Sequence, residues 1–375
     1  MKFIIPKASL HKALARVQSV LERRSSMPIL SHVLIEANEE IRLKATNLQV
    51  YYDIKLQGEI QEPGIVALPG RKLFNIIKES KSESFIFAKN DESTLTLTDG
   101  KTHYTIYLFD PESFPFFTYP EVKNCVSIKA NTLIKCLTKS SICSAEEHDF
   151  PHLAGVFLHK GSVVGKVKFG GSDNFRLSLV EEELPELYNI LPDKEIMIPT
   201  VAVDEILKFE SGDYNLLFML EGESVCIEKQ DEIRLYLMVK FQPFIDYSDL
   251  YSMKIISNST IKKASLQEAL RRMSIFLEES IREVQMSFSQ VGEGTLKLET
   301  STESGRAEEV LGVVYNGGDF VIHIDPRQLL QALQIMESEY VELSFTGDRT
   351  PCIITGELDK GFVAAIMPYV EKEEE

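Results

Sequence analysis

The residues able to do chemistry are numerous but poorly grouped. His11, His32, His103, His148, His152, His159 and His323 make no HExxH pair. Only His148-Asp149 with His152 brings metal-ligand types close together, and beside Phe150-Pro151 they read as a surface loop. Cys125, Cys136, Cys143, Cys226 and Cys352 have neither CxxC spacing nor a disulfide framework, as expected of reduced, scattered thiols. No GxxxxGK[ST], strand-linked GxGxxG or GxSxG occurs, and the glycine pairs in KFGGSD and VYNGGDF read as turns. With 57 acidic residues, proximity alone cannot single out a catalytic pair. No catalytic residue, metal site or cofactor is therefore assigned, and the chain reads as a non-enzyme. The suggestive groups are cations: Arg16, Arg23 and Arg24; Arg71, Lys72 and Lys78; Lys135 and Lys139; and Lys262, Lys263, Arg271 and Arg272. On helices with an opposite apolar face they would present positive charge to phosphates, although ordinary solvated helix faces account for the same residues.

The elements that would carry these cations recur. ASLHKALARVQSVL places Leu10, Leu14, Val17 and Leu21 on one helical stripe, and ASLQEALRRMSIFL repeats it with Leu266, Leu270, Met273 and Leu277. NTLIKCLTKSSICSA offers a weaker copy at Leu133 and Leu137, with Asn131 or Thr132 as N-cap. A second landmark, a short strand ending in proline before a helix, also occurs three times, at Pro69, Pro199 and Pro326. Leu73 and Ile76, Val203 and Ile206, and Leu330 and Leu333 would then face inward. Between these helices lie alternating segments such as STLTLTD, RLSLV, SVCIEK, TLKLET and FVAAIMPY, which read as strands. The expected fold is α+β, three repeated units of two helices packed on antiparallel sheet, bounded at 1–120, 128–248 and 253–375.

A length of 375 residues accommodates three such domains. The net charge of −17 excludes an all-basic nucleic-acid module but not a local basic face. No apolar run approaches the length of a membrane span, and Phe3-Ile4-Ile5-Pro6 is too short for a signal-peptide core, so a cytoplasmic location is expected.

Stretches in order along nearly the whole chain resemble the bacterial replicative sliding clamp family, the beta subunit of DNA polymerase III. They are MKFIIPKASLHKAL, SMPILSHVLIEA, LKATNLQVYYDI, GIVALPGRKLFNII, ESFPFF, SDNFRLSLV, FIDYSDL and FVAAIMPY. The resemblance implies three DNA-clamp domains, with two chains joined head to tail as a closed six-domain ring around duplex DNA. Helices would line the hole and sheets form the shell. Such a ring would tether the replicative polymerase as its processivity factor. Topology prevents escape while diffuse, sequence-independent phosphate contacts permit sliding. Implied partners are DNA, a second copy, the polymerase catalytic subunit, the clamp loader, translesion and repair polymerases and mismatch-repair proteins. No membrane partner is implied, and the location would be cytoplasmic, with nucleoid association during replication.

Carried residue by residue, the family's peptide-binding pocket falls on Leu153, Ser172, Asn174, Phe175, Arg176, Leu177, Ile245, Tyr247, Ala365 and Met367. Taken alone, FRLSLV and FVAAIMPY are simply buried strands. DNA-facing residues would be Arg24, Arg71, Lys72, Lys139, Lys262 and Arg271. At the dimer interface Tyr104 and Ile106 would oppose Ile275 and Phe276. The chain departs from the family at Asn174-Phe175, where Gly-His usually precedes the pocket arginine, and at Ile245, where proline is usual. These departures leave the expected position of the pocket in place, and the family's consensus peptide motif is not carried over unchanged. Two other readings are a carboxylate-dependent hydrolase and a protein-binding scaffold that never encloses DNA.

Overall fold

The repeated apolar stripe folds into helices that end before its last members, Leu21 and Leu277. The computed structural model describes residues 1–22, 26–115, 124–278, 282–290 and 292–369. Among them are α1 (Lys7–Val17), α2 (Gly70–Glu79), α3 (Ala130–Ser141), α4 (Pro185–Ile190), α5 (Thr200–Leu207), α6 (Ser248–Ser252), α7 (Lys263–Ser274) and α8 (Pro326–Ile335). Helix α1 buries Leu10, Ala13, Leu14 and Val17, and α7 buries Leu266, Ala269, Leu270 and Met273 at the same spacing. Each buried leucine contributes about 2 kcal/mol. Helix α3 keeps the stripe with Leu133, Cys136, Leu137 and Ser140. Ser140 is tolerated there because its hydroxyl donates to the Cys136 carbonyl at 2.8 Å. The helix begins at Ala130, so Asn131 and Thr132 lie inside its first turn and are not its N-cap.

One backbone bond marks all three copies. The amides of Lys7, Ala130 and Lys263 donate to the carbonyls of Glu83, Tyr214 and Glu339 at 2.7, 2.9 and 2.9 Å. The proline landmark is slightly out of step. Pro69 is the N-cap of α2, whereas Pro326 is the first residue of α8 and Asp325 caps it, accepting from the Arg327 amide at 2.8 Å. The buried residues are consequently Leu73 and Ile77 in α2 and Leu329, Ala332 and Leu333 in α8. Ile76 and Leu330 are only half-buried. Val203 and Ile206 of α5 are buried as expected.

The chain divides into two compact units, Met1–Leu133 with Asp204–Lys240 and Ile134–Val203 with Phe241–Glu375. The division passes through the middle repeat, because sheets run on from one repeat to the next within each unit. In the first unit a five-stranded sheet has the order Glu59–Glu62, Lys2–Pro6, Ser84–Lys89, Thr94–Thr98, His103–Tyr107. Its eight-stranded sheet has the order Cys125–Lys129, Asn215–Glu221, Ser224–Lys229, Ile233–Met238, Val50–Leu56, Ile41–Thr46, His32–Ala37, Gly64–Pro69.

A ten-stranded sheet starts at the short edge strand Lys240–Phe241, where the second unit resumes, and continues through Ile196–Pro199, Gly155–Lys160, Lys166–Ser172, Arg176–Glu183, Phe362–Ile366, Cys352–Gly356, Tyr340–Phe345, Ser257–Lys262 and Val314–Asn316. The second unit's four-stranded sheet is Gly305–Gly312, Thr295–Thr302, Val284–Ser289, Phe320–Ile324. All described pairings are antiparallel, giving the α+β class. The glycines of KFGGSD lie in strand Lys166–Ser172 and not in a turn. A side chain at Gly170 would meet the Phe244 ring at 2.6 Å, and one at Gly171 would meet the Ser140 carbonyl at 2.1 Å. Among the described residues no helix is long and apolar enough to cross a membrane.

Candidate functional site

The expected peptide pocket converges within the second unit. Strands Lys166–Ser172 and Arg176–Glu183 are joined by Asp173-Asn174-Phe175, with Asn174 in the left-handed region at φ 72°. Asp173 shapes this turn: its Oδ1 accepts from the amides of Phe175 and Arg176 at 3.0 and 2.7 Å. Its Oδ2 accepts from Arg176 Nε at 2.8 Å. The guanidinium also donates to Gln331, so Arg176 is aimed by two neighbours. Ser172 is buried and donates to the Arg176 carbonyl at 2.7 Å, which makes it a support of the turn and not a contact surface. Phe175 projects outward at 59% exposure.

Beside this turn the ladder continues past Phe362–Ile366, with the Met367 amide donating to the Phe175 carbonyl at 2.9 Å. The floor is a buried apolar cluster including Leu153, Leu177, Ala365, Phe157 and Phe244, with Ile245, Tyr247, Phe150 and Leu250 half-buried around it. Phe157 and Phe244 stack at 4.4 Å between centroids. Tyr247 Oη lies 2.9 Å from His159 Nε2, while His159 Nδ1 lies 3.1 Å from the Lys160 carbonyl. Burial lowers the His159 pKa, so its neutral ring donates through Nδ1 and accepts the tyrosine proton at Nε2. Burial raises the Tyr247 pKa, which keeps that donor protonated. Lys168 Nζ sits 5.2 Å from the Tyr247 ring centroid. The arrangement is an apolar trough with Phe175, Met367 and Arg176 on its lip, suited to apolar peptide anchors and backbone polar groups.

Phe150, Phe244 and Leu250 were not among the sequence-derived pocket residues. Gly170 was the available signal, since the missing side chain there makes room for Phe244. The first unit contains a counterpart turn, in which Thr46 Oγ1 donates to the Val50 carbonyl at 2.8 Å and Leu48 takes φ 74°. There Tyr51 and Tyr236 stand where Leu177 and Ala365 stand in the second unit, and their rings meet edge to face at 5.6 Å. Leu177 and Ala365 line the trough of the second unit, whereas in the first unit the two tyrosine rings, with Leu48 and Met238, line a cavity of their own.

The expected DNA-facing cations separate. Lys72 and Arg271 are exposed on α2 and α7. Lys262 is half-exposed, with Glu339 at 3.7 Å. Arg71 does not face solvent phosphates as expected: it donates to the carbonyls of Gln18 and Leu21 at 3.0 and 2.7 Å, satisfying the end of α1 and the turn after it. Lys139 is also a correction, being 3% exposed and bonded to Asp359 at 2.5 Å. Arg24 lies outside the described residues. At the expected dimer surface Ile275 is 77% exposed and Tyr104 and Phe276 are half-buried. Ile106 is corrected too, since its side chain lies in the core of its own unit.

Comparison with known proteins places this geometry. Residues 1–120 match the family model of the DNA polymerase III beta subunit, N-terminal domain, and residues 254–370 match that of its C-terminal domain. A beta sliding clamp from Chlamydia muridarum is 27% identical over 371 residues, covering 98% of each chain. One from Caulobacter vibrioides is 25% identical over 379 residues, covering 98% of this chain and 99% of the relative. The fold is shared with the Bacillus subtilis DNA polymerase sliding clamp, at TM-score 0.91 and 18% identity, covering 99% of this chain and 100% of that one. It is equally shared with a Bartonella birtlesii sliding clamp solved with griselimycin, at TM-score 0.91 and 24% identity with the same coverage. Two domain models of one family at the two ends of the chain, and relatives aligned along its full length, agree with the repeated fold: the chain belongs to the DNA polymerase III beta subunit family.

Proposed function

We propose that this protein is a sliding clamp: two copies join head to tail, encircle duplex DNA and tether the replicative polymerase to its template. The observation that carries the reading is full-length kinship to beta sliding clamps, in a chain built from one repeated helix-and-sheet unit. Three domains, 1–120, 128–248 and 253–375, would supply half of a six-domain ring. The family models matching 1–120 and 254–370 support the first and last of these boundaries. The exposed helical cations Lys12, Lys72, Lys78 and Arg271 suit diffuse phosphate contact, which holds DNA weakly enough to slide. The remaining acidic surface, within a net charge of −17, would discourage DNA from sticking elsewhere.

The clamp is a non-catalytic accessory subunit working in the cytoplasm, associated with the nucleoid during replication. Its action is to raise the effective concentration of polymerase at the primer end. The trough around Leu177, Ala365, Tyr247 and Met367 receives linear peptides from the polymerase, the clamp loader, translesion and repair polymerases and mismatch-repair proteins. The deciding experiment loads the protein onto nicked circular DNA and then linearises it. Retention on the circle and release from the linear form is expected; a monomer with no topology-dependent retention overturns the reading.

A further inference from the structure

The trough of the second unit carries a charge pattern of its own. One wall is residues 145–153, closed by the Ala145 amide donating to the Leu153 carbonyl at 3.2 Å, and it delivers Phe150 to the apolar cluster. The other wall is residues 244–250, which deliver Phe244, Ile245, Tyr247 and Leu250. Gln242 Nε2 donates to the His152 carbonyl at 2.7 Å and ties the two walls together. Between their apolar contacts both walls are acidic. Glu146, Glu147 and Asp149 lead into Phe150, while Asp246 precedes Tyr247 and Asp249 precedes Leu250. All five carboxylates are exposed.

Neighbouring cations leave this charge uncompensated. Among the described residues no Lys or Arg forms an ion pair with any of the five, and their one ionic neighbour is His148 Nε2, 3.5 Å from Asp149. The two cations built into the trough are engaged elsewhere. Arg176, its side chain 14% exposed, pairs with Asp173. Lys168, its side chain 15% exposed, sits over the rings of Tyr247 and Tyr251. An exposed cation, Arg327, lies one turn before Gln331 on α8, so positive charge belongs to the Arg176 end of the trough. The wall that carries Glu146, Glu147 and Asp149 also presents aromatic surface. The Phe150 ring meets the exposed ring of Phe175 at 6.5 Å between centroids, inclined at 65°.

We propose that the trough takes a linear peptide whose apolar anchors are flanked by Lys or Arg, the flanking cation lying against the Phe150 and Phe175 rings and the carboxylates of the two walls. This rests on the peptide-binding reading of the trough and deepens it by naming the charge of the peptide. An aromatic face attracts a cation through its ring quadrupole, and Arg does so while still donating to carboxylates. Each exposed ion pair is weak alone, but five carboxylates of one sign around one concave site act on the same flank and set specificity and on-rate. The same field repels phosphates and acidic peptides, which excludes nucleic acid as the occupant.

A displayed library of random peptides, selected on the full-length chain, supplies the probes, and fluorescence anisotropy measures their affinity. Selected peptides whose binding Met367→Glu abolishes should carry Lys or Arg beside their apolar residues. Exchanging those cations for Glu should weaken binding about tenfold or more at low salt. Combining Glu146→Lys, Glu147→Lys and Asp249→Lys should reverse that preference while leaving a peptide with Ser flanks nearly unaffected. Salt gives a second readout on the unsubstituted chain: it should weaken the basic-flanked peptide and spare the Ser-flanked one. Peptides sensitive to Met367→Glu but with neutral or acidic flanks, or with affinities that neither salt nor the three lysines change, overturn the charge assignment and leave the trough a peptide site. A selection that yields no peptide sensitive to Met367→Glu overturns both.

Discussion

Lys139 Nζ lies 2.5 Å from Asp359 Oδ1, joining α3 to the turn before the last strand across 220 residues of sequence. Asp359 also accepts from the amides of Glu337 and Ser338 and from the Ser338 hydroxyl at 2.5 Å, so almost every lone pair is used. Lys139 Nζ is further placed 5.4 Å from the Phe362 ring centroid. A helix cation that looks suited to phosphate is instead consumed in the interior of the second unit.

Replacing Lys139 by Met should therefore destabilise the protein, leaving a buried carboxylate without its counter-ion, at a cost of about 3–5 kcal/mol. Chemical denaturation checks the value. A Lys139→Met protein of unchanged stability with weakened DNA retention would restore Lys139 to the DNA-facing set.

The same pair sets an acid limit. Burial alone would raise the Asp359 pKa, but Lys139, the Ser338 hydroxyl and the two amides outweigh it and hold the pKa at about 2. A carboxyl depressed on folding stabilises fully above its unfolded pKa and loses that contribution as pH falls toward the folded value. The window is about pH 4 down to 2, and the contribution about 2 kcal/mol. Asp359→Asn should flatten this part of the stability–pH curve; an unaltered slope would contradict the assignment.

Met367→Glu places a charge on the lip of the trough, where Met367 is 38% exposed. Binding of a polymerase-derived peptide, followed by fluorescence anisotropy, should fall at least tenfold, about 1.4 kcal/mol or more, with dimerisation unchanged. Equal affinity would move the peptide site elsewhere.

Gly170→Ala should act from beneath the trough. The added methyl would stand 2.6 Å from the Phe244 ring, which is stacked on Phe157 and has little room to yield. A loss of about 1–3 kcal/mol in stability is expected, together with weaker peptide binding. Wild-type values for both would mean that Phe244 repacks freely.

Lys72→Glu and Arg271→Glu should shorten the residence of the loaded ring on circular DNA. Each should also lower the salt dependence of DNA binding by about one phosphate contact. Arg71→Gln should behave differently, loosening the end of α1 through its lost bonds to Gln18 and Leu21. Indistinguishable salt slopes for all three would remove Lys72 and Arg271 from the DNA-facing set.

The helix stripes, the threefold repetition, the strand-rich character and the family were legible in sequence because they rest on local periodicity and on contiguous residue runs. Leu10, Leu14 and Val17 face inward wherever their helix packs, and Leu266, Leu270 and Met273 do the same. Most of the residues named for the peptide trough lie together, because their two strands and the following segment are held by register. Tertiary structure decided the rest. Nothing near Lys139 in sequence announces Asp359, and nothing near Arg71 announces that the carbonyls of Gln18 and Leu21 lie within reach. In both cases the deciding partner is distant in sequence, 220 residues for Lys139 and 53 for the farther carbonyl of Arg71, and only packing brings it within hydrogen-bond reach.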